Sequence, residues 1–316
     1  MRRTITIGIV LAALLVLTLA GAAMLGSERL PIFDLNEQQR SILFDIRLPR
    51  VMLAACVGGS LAVAGAGLQS LLRNPLAEPY LLGVSNGAAL GTMLAFVFFQ
   101  NVEIARPAMA LLGAGLATFA VYRMATGRSG TSVERLVLSG VIVTTFLSSV
   151  IVMLTSLLDA AKLRSFTFWL LGDLSQATTF GVYLSAAALA VGAVVMVSQA
   201  RALNLMMVGE RDAFDFGVEV GRVRTLVFGA SSLVVGAAVA ASGSVGYVGL
   251  IVPHMVRLSV GSDNRLVVPF SAIVGAIFVV FADTIARTAI APRELPVGAI
   301  TALVGAPLFI YLLRRN

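Results

Sequence analysis

The sequence predicts an all-α, polytopic membrane protein with about ten transmembrane helices, on three observations. Hydrophobic residues fill 58% of the 316 positions and charged residues 12%, with a mean hydropathy of +0.95. A soluble domain carries about 25% charged residues, so 23 basic and 16 acidic side chains are too few to cover this chain in water. Charge-free runs of bilayer-spanning length recur along the whole sequence, and the basic residues sit singly or in pairs at the ends of those runs. That placement is a topology signal, and it sets nucleic acid aside as the reason for the net charge of +7. The apolar excess also excludes intrinsic disorder.

Crossing the hydrocarbon core takes about 20 apolar residues. Runs free of Asp, Glu, Lys and Arg cover 4–27, 51–72, 79–102, 107–122, 136–158, 174–200, 225–256, 266–282 and 295–313. The first has an Arg2-Arg3 start and an Ala20-Gly-Ala22 end that imitate a cleavable signal peptide. Its core is longer than a signal core and further runs follow, so it is expected to be a retained span. The run 225–256 is too long for one crossing, and Gly243-Ser-Val-Gly-Tyr-Val-Gly249 interrupts it with residues that oppose a helix. It splits into 225–242 and 248–260, giving ten spans. An even number agrees with Arg2 and Arg3 at one end and Arg314 and Arg315 at the other, both cytoplasmic by the positive-inside rule. The eighth span is short and contains Pro253, His254 and Arg257, so a re-entrant segment stays open there.

No soluble domain is expected: 1–316 forms a single transmembrane domain. The outer segment 28–49 has room for a short helix. The largest inner segment, 201–224, interleaves apolar and charged residues and is punctuated by Gly209, Gly217 and Gly221. One or two short amphipathic helices are expected there, with Leu205, Met206, Met207, Ala213, Phe214 and Phe216 as the apolar face. Such a face either rests on lipid or docks a cytoplasmic partner. Glu210, Asp212, Asp215 and Glu219 disfavour anionic headgroups and favour the partner. Trp169 is expected to anchor at the membrane interface.

The chemistry that is missing narrows the function. Lys162, the only lysine, follows Ala161, so there is no phosphate-binding Gly-Lys-Ser/Thr loop. His254 and Cys56 are the only residues of their types, which removes a multi-ligand His/Cys metal centre and an intramolecular disulfide. A serine nucleophile would need His254, and no serine elbow accompanies it. The chain is therefore not read as an enzyme, and no metal or cofactor is assigned to it. Asp283 is the one carboxylate inside an apolar run, four residues before Arg287. It is either half of an ion pair or a proton-coupling group.

Several short motifs then occur in order. Arg47-Leu-Pro-Arg50 leads into the second span, followed by Asn74-Pro-Leu-Ala-Glu-Pro79 and Leu82-Gly-Val-Ser-Asn-Gly87. Later come Gly243-Ser-Val-Gly-Tyr-Val-Gly-Leu-Ile-Val-Pro-His254 with Arg257, Ala282-Asp283 with Ala286-Arg287, Glu294-Leu-Pro-Val-Gly298 and Gly305-Ala-Pro307. Together they resemble the FecCD (BtuC-like) family, the permease subunits of type II ABC importers for ferric siderophores, haem and cobalamin.

The resemblance implies a permease paired with a second permease subunit, as a homodimer or as a pair of related permeases, in the bacterial cytoplasmic (inner) membrane. Two cytoplasmic ATPase subunits, which hold the ATP and Mg, and a periplasmic or lipid-anchored substrate-binding protein complete such importers. Chelated iron is the favoured cargo, as ferric siderophore or haem, ahead of cobalamin. By position, Gly209, Glu210, Ala213, Phe214 and Gly217 match the ATPase-coupling segment, and Arg47, Arg50 and Arg287 the binding-protein docking positions. Asn74 and Leu76 match the cytoplasmic gate, and Thr131 and Ser132 lie near its second segment, where Val133-Glu134 departs from the family pattern. Spans five and ten line the family's pathway, which points to Ser139, Thr144, Ser148 and Thr301. The rival readings are a proton-coupled secondary transporter using Asp283 and a non-transporting membrane scaffold using 201–224.

Overall fold

The computed structural model describes residues 2–26, 36–99, 102, 104–127 and 130–315. The fold is all-α and polytopic. Seven helices among the described residues are long and apolar enough to cross a bilayer, and three shorter apolar helices accompany them. In chain order the helices are α1 (Arg2–Met24), α2 (Glu37–Ser41), α3 (Leu48–Leu71), α4 (Val84–Phe98), α5 (Ala105–Ala125), α6 (Val133–Thr155) and α7 (Ala160–Leu170). There follow α8 (Thr179–Ser198), α9 (Ala200–Val208), α10 (Glu210–Asp215), α11 (Val220–Ser242), α12 (Val248–Val260), α13 (Asn264–Thr288) and α14 (Val297–Arg315). A two-residue hairpin, β1 (Thr126–Gly127) with β2 (Gly130–Thr131), joins α5 to α6.

The core is α3, buried along almost its whole length against α8, α11, α12 and α13. Its small residues allow this: a Cβ on Gly58 would collide with the Gly275 carbonyl of α13, and one on Gly65 with the Gly249 carbonyl of α12. Lipid tails are as apolar as leucine, so close backbone approach of this kind is what holds membrane helices together. Gly87 and Gly91 of α4 and Gly113 of α5 make the same contact between that pair.

Two boundaries differ from the sequence reading. Pro49 does not begin a span after a loop. Asn36 caps α2 through a reciprocal capping box with Gln39 (2.8 and 3.1 Å), and a π-helical turn, Ile42–Arg47, carries the rod straight into α3. The Leu48 N–H reaches back to the Leu43 carbonyl, five residues earlier. An α-helical Pro49 would press on the Asp45 carbonyl four residues back, and the wider turn eases that crowding. The second difference is at 79–102. Pro79–Leu82 is a 3-10 turn, and α4 starts only at Val84, after Gly83 in the left-handed region (φ 76°). With 15 residues in α4 and 13 in α12, neither spans about 30 Å of hydrocarbon. Each follows a segment outside the α-helices, 72–83 before α4 and 243–247 before α12.

Candidate functional site

At the inner end, α9 and α10 form the expected pair of short helices, and their apolar residues divide between two faces. Met206 and Ala213 are buried in the core, whereas Val208, Phe214 and Phe216 point out at 76, 71 and 75% exposure. The single docking face expected from the sequence is therefore split. Gly209 joins the helices in extended backbone, and Gly217 ends α10 in the left-handed region (φ 79°), where the Val218 N–H closes onto the Ala213 carbonyl at 2.9 Å. Glu210 pairs with the buried Arg224 of α11 at 2.7 Å, which pins α10 to the body. Of the five coupling residues, Phe214 is the one presented outward as a large apolar side chain. Ala213 is part of the support behind it.

Asn74 and Leu76, expected at a gate, sit in the turn after α3. Asn74 Oδ1 accepts the Leu76 N–H at 2.8 Å, and the Asn74 carbonyl accepts the Ala77 N–H at 3.0 Å. Asn74 thus builds the turn, and Leu76 is what it displays, 48% exposed. Thr131 lies in β2, and Ser132 caps α6 by accepting the Arg135 N–H at 3.3 Å. The α6 residues nearest a side chain at Gly83 are Val143 and Thr144, about three turns further along.

The hydroxyls expected to line a pathway do not share one open wall. Thr301 is fully buried and donates to the Gly298 carbonyl at 3.0 Å. Ser139 is also buried. Asn86 Nδ2 donates to the Thr144 carbonyl (3.0 Å) and to Ser148 Oγ (2.6 Å). The rotation of α6 turns Ser139 toward this chain's own core. The hydroxyls it leaves exposed are Thr145 and Ser149, each donating to a carbonyl one turn back.

At the outer end the three expected docking arginines converge, and all are buried. Arg50 holds Asp283 with Nε and Nη2 (3.0 and 2.9 Å) and Glu294 with Nη1 (2.8 Å). Arg287 Nε lies 3.5 Å from Asp283, and its Nη2 donates to the Ala22 carbonyl. Arg47 donates to the carbonyls of Ala23 (3.4 Å) and Met24 (2.9 Å). Carbonyls at a helix C-terminus lack intrahelical partners, so Arg47 and Arg287 complete the end of α1. Asp283 takes its closest partner from α3, not from the neighbour four residues on. A separate cavity of about 1050 Å³ has Arg106, Arg164, Asp173 and Trp169 in its wall. Trp169, expected as an interfacial anchor, is half-buried, stacked on Phe166 at 6.2 Å and packed against the core.

Sequence reasoning passed over two groups. Glu78 accepts the Tyr247 N–H at 3.0 Å, and the Tyr80 hydroxyl donates to the Val245 carbonyl and accepts the Val245 N–H, both at 2.9 Å. Beside α9, Asn204, Asn264, Arg257 and Ser70 form one hydrogen-bonded knot. The available signal was a polar side chain set among Gly and Pro in an apolar stretch.

Comparison with known proteins follows this geometry. The family model described as the FecCD transport family matches residues 7–315. The cobalamin import system permease protein BtuC of Halobacterium salinarum is 44% identical over 285 residues, covering 89% of this chain and 76% of that protein. The hemin transport system permease protein HmuU of Yersinia pestis is 37% identical over 319 residues, covering 97% and 94%. The iron(3+)-hydroxamate import system permease protein FhuB of Bacillus subtilis is 37% identical over 287 residues, covering 89% and 73%. Among solved structures, a metal-chelate type ABC transporter in an inward-facing conformation superposes with a TM-score of 0.90 at 33% identity, covering 98% of this chain and 99% of that one.

Proposed function

Because the chain belongs to the FecCD transport family, whose members are ABC transport permeases, we propose that it is the membrane-spanning subunit of an ATP-driven importer for a bulky metal chelate. Two copies of the chain enclose the pathway in the bacterial cytoplasmic membrane, with both termini in the cytoplasm. A separate ATPase pair, which holds the ATP and Mg, docks on α9–α10, and a binding protein delivers cargo to the outer face. The relatives' names divide among cobalamin, hemin and iron-hydroxamate, so the cargo is proposed as a class, without the preference for iron that the sequence suggested.

The observation that carries this reading is the α10 tip. Phe214 and Phe216 stand exposed on a helix whose other face is locked to the core through Ala213 and the Glu210–Arg224 pair. An exposed aromatic pair on a rigid support is suited to a protein partner, and a push on it reaches the body without loss in a floppy loop. At the outer end, Arg47, Arg50 and Arg287 are proposed as the positive base beneath the binding protein. Glu294, with its side chain 44% exposed, is where an incoming carboxylate meets Arg50. A charge contact of this kind steers docking and fixes register.

The proton-coupled alternative draws no support from Asp283, whose carboxylate is engaged by Arg50 and faces Arg287. The test is reconstitution with a co-expressed ATPase and binding protein, using cyanocobalamin, haemin and a ferric hydroxamate as probes. ATP-dependent uptake of one of them is expected. Phe214→Asp is expected to abolish ATPase co-purification while the permease stays folded. Ala213→Trp is unsuited to this, because Ala213 has no exposed surface and the variant tests the fold. Uptake driven by a pH gradient without the ATPase overturns the reading in favour of the carrier. ATPase binding with no uptake of any probe favours the scaffold.

A further inference from the structure

The two segments between α-helices, 72–83 and 243–247, complete each other. Irregular backbone among membrane helices persists only where protein satisfies its polar groups. Glu78 takes the Tyr247 N–H, and the Tyr80 hydroxyl serves both polar groups of Val245. Tyr247 occupies the left-handed region (φ 69°) immediately before α12, so its N–H lies outside the helix ladder and needs an external acceptor. The Pro79 ring lies against Gly249, where a Cβ would come within 2.7 Å of it. The start of α12 is thereby joined to the gate turn.

The first turn of α12 has a second tie. Pro253 has no N–H, so the Gly249 carbonyl lacks its helical donor. Gln69 Nε2 of α3 supplies one, at 3.2 Å to Gly249 and 3.0 Å to Leu250.

The other end of α12 is held by the inner knot. Arg257 Nη2 donates to Ser70 Oγ (2.8 Å) and to the Ala66 carbonyl (3.1 Å). Ser70 Oγ lies 2.8 Å from Asn264 Oδ1. Asn204 of α9 accepts both the Asn264 N–H and its Nδ2 at 2.9 Å, and donates to Asp263 at 2.7 Å. Asn204 is four residues before Val208, where α9 gives way to the coupling tip.

From this geometry we infer that α12 is a transmission bar. Asn204 and Asn264 at one end, and Glu78 and Tyr80 at the other, are positioning residues that make the Asn74–Leu76 turn follow the α9–α10 segment. The inference rests on the importer reading. A 13-residue helix is short enough to move as a unit, and each end is fixed by directional hydrogen bonds rather than by apolar packing alone. Displacement of α9 therefore shifts Tyr247 and, through Glu78, the gate turn.

The experiment uses the full complex in proteoliposomes. Cys56, the sole cysteine, is replaced by Ala, and Leu76→Cys reports the gate through its rate of modification by a membrane-impermeant maleimide, with and without a non-hydrolysable ATP analogue. Uptake of the three probes and ATP hydrolysis are read in parallel. In this background the nucleotide is expected to change labelling at position 76. Glu78→Ala and Asn204→Ala are expected to abolish that change and to lower uptake about tenfold relative to hydrolysis, within the usual span of coupling between sites. Glu78→Gln keeps an acceptor for the Tyr247 N–H and should restore both. Tyr80→Phe, which preserves volume, gives an intermediate loss. If Glu78→Ala and Asn204→Ala lower hydrolysis and uptake in proportion, or change nothing, while labelling still responds to nucleotide, the bar is refuted and these groups serve the fold alone. A failure of the importer reading looks different: the complex without these substitutions then shows no ATP-dependent uptake of any probe, and the bar falls with it.

Discussion

The two ends of the membrane domain are held by different chemistry. At the outer end, Arg47, Arg50 and Arg287 gather with Asp283 and Glu294, and full charges join α1, α3 and α13. At the inner end, the neutral side chains of Asn204, Ser70 and Asn264 join Arg257 and the exposed Asp263. Removing one partner of a buried ion pair strands a charge and costs about 3–5 kcal/mol. A neutral hydrogen bond contributes about 1 kcal/mol net and re-forms with water or another amide. Disturbing the outer end therefore costs more than disturbing the inner end.

Substitutions can break this contrast. Asp283→Ala should have the largest effect, about 3–5 kcal/mol in detergent unfolding, because Arg50 and Arg287 both lose a buried carboxylate. A loss below about 1 kcal/mol would mean that the outer end is no stiffer than the inner. Asn264→Ala comes next. It strips partners from the buried Ser70 and from Asn204, at about 1–3 kcal/mol, measured in the same way.

Two smaller effects sharpen the comparison. Glu294→Gln should change unfolding by only about 0–1 kcal/mol, since its side chain is half in solvent. It should also alter the salt dependence of binding-protein association, which surface plasmon resonance can follow. The smallest effect is in acid. Although its partial burial opposes this, the Arg265 N–H and the Asn204 amide hold the Asp263 carboxyl below the usual carboxylate range. The folded protein then binds fewer protons than the unfolded chain. This contribution is complete above the unfolded value near pH 4 and fades as pH falls through the lower folded value. Asp263→Asn should flatten the acid limb of the unfolding profile without moving its neutral plateau.

The fold was legible where the physics is one-dimensional. Apolar length marks a span, and Gly243 to Gly249 marked a break whatever lay beside it. The site was less legible because its partners are distant in sequence. Asp283 has Arg287 four residues away, and helix geometry favours that pair, but the bonds go to Arg50, 233 positions earlier. The hydroxyls of α6 showed that the helix carries them and could not show how it is rotated, which decides that Ser139 faces inward and Thr145 outward. Ala213 and Phe214 are adjacent in sequence and opposite in role for the same reason. The π turn before Pro49 had no sequence cue except the proline that it accommodates.

That turn has a consequence for the outer surface. Glu37 to Leu71 is a single 35-residue rod, about 50 Å long against about 30 Å of hydrocarbon, so its first turns stand clear of the membrane like a mast. A π turn carries one extra residue relative to an α-helix. Deleting one residue from Ile42–Arg47 would restore the ordinary pitch and leave the masthead near its present bearing, because the π turn holds its extra residue within a single turn. Whatever lands on the outer face would still meet Glu37 and Arg40, so the turn absorbs a one-residue change in the chain without re-aiming the mast.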